Sequence, residues 1–158
     1  LQGMGLGHLC QNWLGTVEYG LTCILIVMLW QNMGYAMVIF NAGLQSIPEE
    51  LYEAASIDGA NAWKRFWNVT LPQLAPSFTV VITLMTITGL RVFDQVIGLT
   101  NGGPAGSTHT LASDYYIQTW AYGRYGYGTA LALVLTLLVT VVGIIEVLAG
   151  RKKEDSIS

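Results

Sequence analysis

Three stretches of the chain carry long apolar runs between widely spaced charges: Glu18 to Glu49, Arg65 to Arg91 and Arg124 to Glu146. They hold 30, 25 and 21 uncharged residues, and one bilayer-crossing helix needs ~20 largely apolar ones. The first contains LTCILIVMLWQNMGYAMVIF and the third GTALALVLTLLVTVVGII. The second contains SFTVVITLMTITGL and runs on past Arg91 through VFDQVIGL. None has a proline beyond its first turn, so each can satisfy its own backbone hydrogen bonds, as lipid requires. The pattern predicts three transmembrane helices, at about 20–42, 76–99 and 127–149.

Composition supports that reading. Of 158 residues, 53% are hydrophobic and 11% charged, less than half the ~25% charged share of a soluble domain. This weighs against an ordinary soluble domain with buried helices, and against a disordered segment. A net charge of −3 also removes the basic face that nucleic-acid binding needs. The fold class is therefore all-α and membrane-embedded. The chain starts at Leu1 with no basic stretch before its first apolar run, so no signal peptide is expected. Three helices leave little room for a pathway. The expectation is the C-terminal part of a longer membrane protein, with RKKEDSIS as its natural end.

Basic residues near helix ends set the orientation. Lys64 and Arg65 lie between the first two spans, and Arg151, Lys152 and Lys153 follow the third. Only Arg124 lies in the intervening loop. Five against one makes the 45–76 loop and the 150–158 tail cytoplasmic. The 99–127 loop and the stretch LQGMGLGHLCQNWLG are then outside.

Candidate chemistry is sparse. Cys23 falls within the first span, so Cys10 and Cys23 read as small apolar residues rather than a bridge. His8 and His109 have no nucleophile or ligand spacing around them, although Asp114 follows His109 by five residues. No phosphate-binding loop, HExxH or CxxC occurs. The expectation is no catalytic residue, no metal site and no cofactor. Asn68-Val69-Thr70 fits the glycosylation pattern but lies on the cytoplasmic side in this topology.

The cytoplasmic loop is the most informative stretch. Ser46 and Glu49 have capping-box spacing, with Pro48 in the first turn, predicting a helix from Pro48 to Ile57. Glu49, Glu50 and Glu53 crowd its N-terminal half, where the helix dipole favours carboxylates. Gly59 supplies a turn, and a second helix runs from about Asn61 to just before Pro72. Trp63, Phe66, Trp67 and the Thr70 methyl group fall on one face of it, with Lys64, Arg65 and Asn68 elsewhere. A connection with no task is normally a few residues long. Ala54, Ala55, Gly59 and Ala60 permit close approach, and Glu53 and Asp58 offer charge. Docking of another protein is the favoured reading. The alternative, a hairpin resting on lipid headgroups, suits the aromatic face but not the acidic first helix.

The run Glu53-Ala54-Ala55-x-x-Asp58-Gly59-Ala60, then Phe66, Leu71-Pro72 and Pro76, resembles the EAA loop of permease subunits of ABC importers. LQSIPEELYE upstream, Phe93–Leu111 downstream and Tyr125–Thr129 resemble the carbohydrate-uptake branch. LTNGGP, Leu99–Pro104, resembles the first permease of the maltose and glycerol-phosphate type. The resemblance covers the chain from Asn12 onward. It implies half of a six-helix type I permease core, with the first three spans missing from this sequence. It further implies coupling helices that dock on cytoplasmic ATPase subunits through Glu53, Ala54, Ala55, Asp58, Gly59 and Ala60. ATP would be bound by those partners, not by this chain. A second permease subunit, an extracytoplasmic solute-binding protein and the lipid bilayer complete the implied partners.

Ionisable residues inside a span are costly and mark a pathway or an internal pair. Arg91 and Asp94 are three apart, at pairing distance on one helix face, and Gln95 follows four after Arg91. Either reading stands: a structural pair, or a solute route lined by Arg91, Asp94 and Gln95. Gln31 and Asn32 in the first span are equally open between route and interhelical hydrogen bonds. Glu146 is expected to reach the interface or Arg151. A secondary transporter or channel driven by an ion gradient would explain the spans but not the coupling loop.

Overall fold

The computed structural model describes residues 12–154, with side chains to Gly150. His8, Cys10, the first residues of the N-terminal stretch and the side chains of the basic tail lie outside the described residues. Among the described residues every regular element is helical: α1 Val17–Gln45, α2 Glu49–Ile57, α3 Ala62–Arg65, a π-helix at Phe66–Thr70, α4 Leu71–Gln73, α5 Ala75–Leu90, α6 Asp94–Leu99, α7 Leu111–Tyr116, a second π-helix at Ile117–Ala121, and α8 Tyr125–Glu154.

Among the described residues two helices are long and apolar enough to cross a bilayer by themselves. α1 has 29 residues and α8 has 30, about 44 and 45 Å at 1.5 Å per residue against a hydrocarbon core of ~30 Å. Their flanks are largely uncovered: Leu29, Trp30 and Val38 on α1, and Leu133, Leu137 and Leu148 on α8, are exposed. Such faces need hydrocarbon or further helices around them.

The second predicted span differs from its expected outline. α5 has 16 residues and ends at Leu90, about 24 Å long and short of a full crossing. Arg91–Phe93 is non-helical, and α6 starts afresh at Asp94. Upstream, Ala62–Gln73 and Ala75–Leu90 meet at 60°. Pro72 and Pro76 account for this region. Each lacks the N–H that would bond four residues back, and its ring crowds that carbonyl. The turn before Pro72 accordingly widens, with the Leu71 N–H bonding the Phe66 carbonyl five residues back.

The chain divides into two compact units. One comprises the part up to Gln31 with Arg91–Thr136; the other comprises Asn32–Leu90 with the part from Leu137. In the first, the 100–110 loop is a tight cage. Thr108 is buried, its hydroxyl 2.7 Å from Thr100 Oγ1 and donating to the Gly103 carbonyl at 2.9 Å. Gly20 of α1 lies against the Thr108 methyl group. Thr110 donates to the Val92 carbonyl at 2.8 Å and forms a capping box with Ser113 at the start of α7. Gly128 of α8 lies against Thr119, where a Cβ would collide with its side chain.

In the second unit, α1 packs on α5 through Phe40 and Phe78, with ring centroids 4.7 Å apart. Gly43 admits Leu74 and Ser77 at close range. Ile47, Leu74 and Val81 are buried here. Gly150 of α8 meets the Thr79 side chain.

Candidate functional site

The connecting loop is a hairpin of two helical arms. Its first helix starts at Glu49 with Pro48 at the N-cap and no side-chain cap. The predicted Ser46–Glu49 capping box does not form. Ser46 Oγ instead donates to the Gly43 carbonyl at 2.7 Å, closing the end of α1. Pro48, locked in an extended conformation, separates that closure from the new helix.

Glu53, Ala54 and Asp58 are exposed on this first arm, while Ala55 and Ala60 are half-buried. Asp58 closes α2, and its N–H bonds the Ala54 carbonyl at 3.1 Å. Gly59 supplies the expected turn, in the left-handed region at φ +76°, and no atom lies within 4 Å of where its Cβ would stand. Only backbone conformation demands glycine there. The next arm begins at Asn61, whose Oδ1 accepts the Lys64 N–H at 2.9 Å. That start agrees with the sequence reading, but the helix continues beyond the expected stop before Pro72.

Two hydrogen bonds that sequence reasoning missed tie the arms together. Tyr52 Oη lies 3.0 Å from Thr70 Oγ1, and Arg65 Nη1 donates to Ser56 Oγ at 2.9 Å. Tyr52 and Ser56 are four apart on α2. That spacing of two hydroxyls on an otherwise acidic and apolar helix is the signal that could have marked its inner face. Thr70 therefore does not continue the aromatic stripe. It is buried against Tyr52, while Trp63, Phe66 and Trp67 are exposed. The extra residue in the π-turn displaces Thr70 from the face that α-helical spacing assigned to it.

The candidate route residues lie at the break after α5. Arg91 and Asp94 are both exposed, and they form no ion pair among the described residues. The expected pairing on one helix face fails because the backbone between them is not helical. Gln95 does find a partner: its Nε2 donates to Gln31 Oε1 at 2.6 Å. Each glutamine is a separate candidate in the sequence, and α6 brings them together within one unit.

Two further clusters complete the picture. In the second unit a cavity of about 610 Å³ is lined by Leu71, Pro72, Phe78, Ile82, Thr83 and Glu146 among others. Glu146 turns a buried carboxylate oxygen towards this region with no hydrogen-bond partner, as does the Thr83 hydroxyl. The expected contact of Glu146 with Arg151 falls on a side chain outside the described residues. In the first unit His109 Nδ1 lies 3.3 Å from Asp114 Oδ1, beside Tyr122, whose ring stacks with the Arg124 guanidinium at 5.7 Å.

Comparison with known proteins follows the same outline. Residues 3–154 match the family described as binding-protein-dependent transport system inner membrane component. The multiple sugar-binding transport system permease protein MsmF of Streptococcus mutans is 38% identical over 96% of this chain and 52% of its own length. The trehalose/maltose transport system permease protein MalF of Thermococcus litoralis is 42% identical over 91% of this chain and 48% of its own length. The arabinooligosaccharides transport system permease protein AraP of Bacillus subtilis is 40% identical over 95% and 49% respectively. The chain thus spans about half the length of these relatives. In fold it is similar to a chain of a bacterial ABC transporter involved in the import of the acidic polysaccharide alginate, with TM-score 0.80, 23% identity, and coverage of 90% of this chain and 50% of that one. With a family match across nearly its whole length, an all-helical membrane fold and relatives named as sugar transport permeases, the chain belongs to the inner membrane components of binding-protein-dependent ABC transport systems.

Proposed function

We propose that this chain forms part of the translocation pathway of an ATP-driven importer for sugars or related solutes, and couples it to an ATPase through the Glu53–Ala60 turn. The loop and C-terminus face the cytoplasm in this reading. The observation that carries it is the exposed acidic arm ending in a left-handed glycine, with Glu53, Ala54 and Asp58 uncovered. Small residues let a partner's surface approach closely, and Glu53 offers a carboxylate to a basic group there. Cytoplasmic ATPase subunits are the partners proposed for this turn, beside a second permease subunit and an extracytoplasmic solute-binding protein. No catalytic step is assigned to this chain.

The route is placed at Arg91, Asp94 and Gln95. Non-helical backbone at membrane depth is tolerated only where protein covers it or water fills a cavity. The break at Arg91–Phe93 carries that requirement together with two exposed charged side chains that form no ion pair among the described residues. The deciding experiment is Glu53→Lys in the full-length transporter. ATP hydrolysis should persist, no longer raised by solute, while uptake falls at least tenfold. Uptake at the wild-type rate would overturn the coupling role.

A further inference from the structure

The second arm of the hairpin has a face that the proposed coupling role leaves unused. Trp63, Phe66 and Trp67 are 69%, 43% and 49% exposed. They form one cluster, with centroid separations of 6.3 Å for Trp63–Phe66, 5.9 Å for Trp63–Trp67 and 5.7 Å for Phe66–Trp67. The opposite side of the arm is already occupied by the Tyr52–Thr70 and Ser56–Arg65 bonds to α2. The cluster therefore faces away from the acidic arm.

Three observations identify what covers it. The arm is joined to α5 and inclined to it by 60°. If α5 stood along the bilayer normal, the arm would run about 30° from the membrane plane, the attitude of an interfacial helix rather than a crossing one. Two of the three aromatic residues are tryptophans, the side chain that concentrates at the level of the lipid headgroups. The charges are also divided: Glu49, Glu50, Glu53 and Asp58 stand on the first arm, whereas the exposed Lys64 stands on the second, Arg65 being turned to Ser56. Anionic lipid attracts the lysine and repels the acidic arm.

We infer that the Trp63–Phe66–Trp67 face of the hairpin's second arm rests in the headgroup region of an anionic bilayer, leaving the acidic first arm free for protein. The two alternatives that the sequence left open for the whole hairpin thus apply to different arms. A lipid-seated second arm would hold the height of α2 above the membrane, and the Tyr52–Thr70 bond would pass that height on to the docking turn.

The test uses the whole chain in vesicles of phosphatidylcholine and phosphatidylglycerol. Trp13, Trp30, Trp67 and Trp120 are replaced by phenylalanine, leaving Trp63 as sole emitter. Lipid brominated near the headgroup should quench Trp63 more strongly than lipid brominated near the chain end. Acrylamide in the water should quench it less than it quenches free tryptophan. Should that variant fail to fold, Trp63→Cys and Asp58→Cys, each with Cys10 and Cys23 replaced by serine, carry a nitroxide label instead. Oxygen should reach the label at position 63 more readily than a water-soluble nickel chelate does, with the order reversed at position 58. Quenching by acrylamide alone, or chelate preference at position 63, would overturn the inference. So would disappearance of the bromolipid quenching once the complete transporter with its ATPase is assembled, since the face would then belong to a protein.

Discussion

Tyr52 Oη and Thr70 Oγ1 lie 3.0 Å apart, the hydroxyl of one arm of the hairpin meeting that of the other across eighteen positions of chain. Thr70 is 7% exposed, so the bond sits away from competing water and fixes the arms relative to each other. Tyr52→Phe removes only the hydroxyl and leaves the Thr70 oxygen without this partner. The expected destabilisation is about 1–2 kcal/mol, read as a lower melting temperature of the detergent-solubilised transporter. If the bond aims the docking turn, more ATP should also be hydrolysed per solute imported. Unchanged melting and unchanged stoichiometry would show the bond to be idle.

Gly59 offers a separation of backbone from contact. Its φ of +76° strains any β-branched residue, yet nothing lies within 4 Å of the Cβ position. Gly59→Val should therefore cost about 1–3 kcal/mol through the backbone alone, and co-purification of the ATPase should fall. Gly59→Asn, which tolerates the left-handed region, should retain most of the yield. Equal loss for both variants would mean that a partner surface needs the empty space itself.

At Gly128 the demand is steric. A Cβ there would meet the Thr119 side chain, whereas Gly126 two residues earlier has open space. Gly128→Val should destabilise the protein by about 1–3 kcal/mol through overpacking. Gly126→Ala should be neutral or mildly stabilising, since it restores helix propensity. Thermal melting of the two variants side by side checks the contrast.

Arg91 and Asp94 are exposed and form no pair with each other in this structure, so each can be changed without stranding the other. Arg91→Leu should leave membrane abundance near wild type and reduce solute uptake at least tenfold, if the guanidinium contacts solute or its water. Asp94→Leu should lower uptake as well, and the double variant measures how far the two charges act together. Wild-type uptake in the Arg91 variant would remove it from the route.

Much of the fold was legible because spacing between charges is a direct record of bilayer thickness. α1 and α8 follow from Leu21–Phe40 and Gly128–Ile145 with little else required. Gly59 and Asn61 were legible for a similar reason, since a turn glycine and an N-cap asparagine act through neighbouring backbone. The break at Arg91 was not, because apolar residues continue on both sides and no proline marks it, while Gly89 two residues earlier lies inside the helix. Its anchor is the Thr110 hydroxyl on the Val92 carbonyl, eighteen residues away. Ser46 misled for the opposite reason: a local pattern favoured capping α2, while the end of α1 was the nearer claimant. The pairing of Tyr52 with Thr70 depends on a π-turn that helical periodicity does not anticipate.

That π-turn has a consequence for the length of the arm. Bonds of the i→i+5 kind fit one more residue into a turn than α-helical bonds do, so Phe66–Thr70 goes round about as far as four α-helical residues would. Loss of one residue there would leave Trp63 and Leu71 pointing as they do now, with the arm merely shortened. It would also bring the Pro72 ring back against the carbonyl four residues before it, at a cost of ~3 kcal/mol. The surplus residue is thus a spacer for the proline ring. Proline, not aim, sets how long this arm must be.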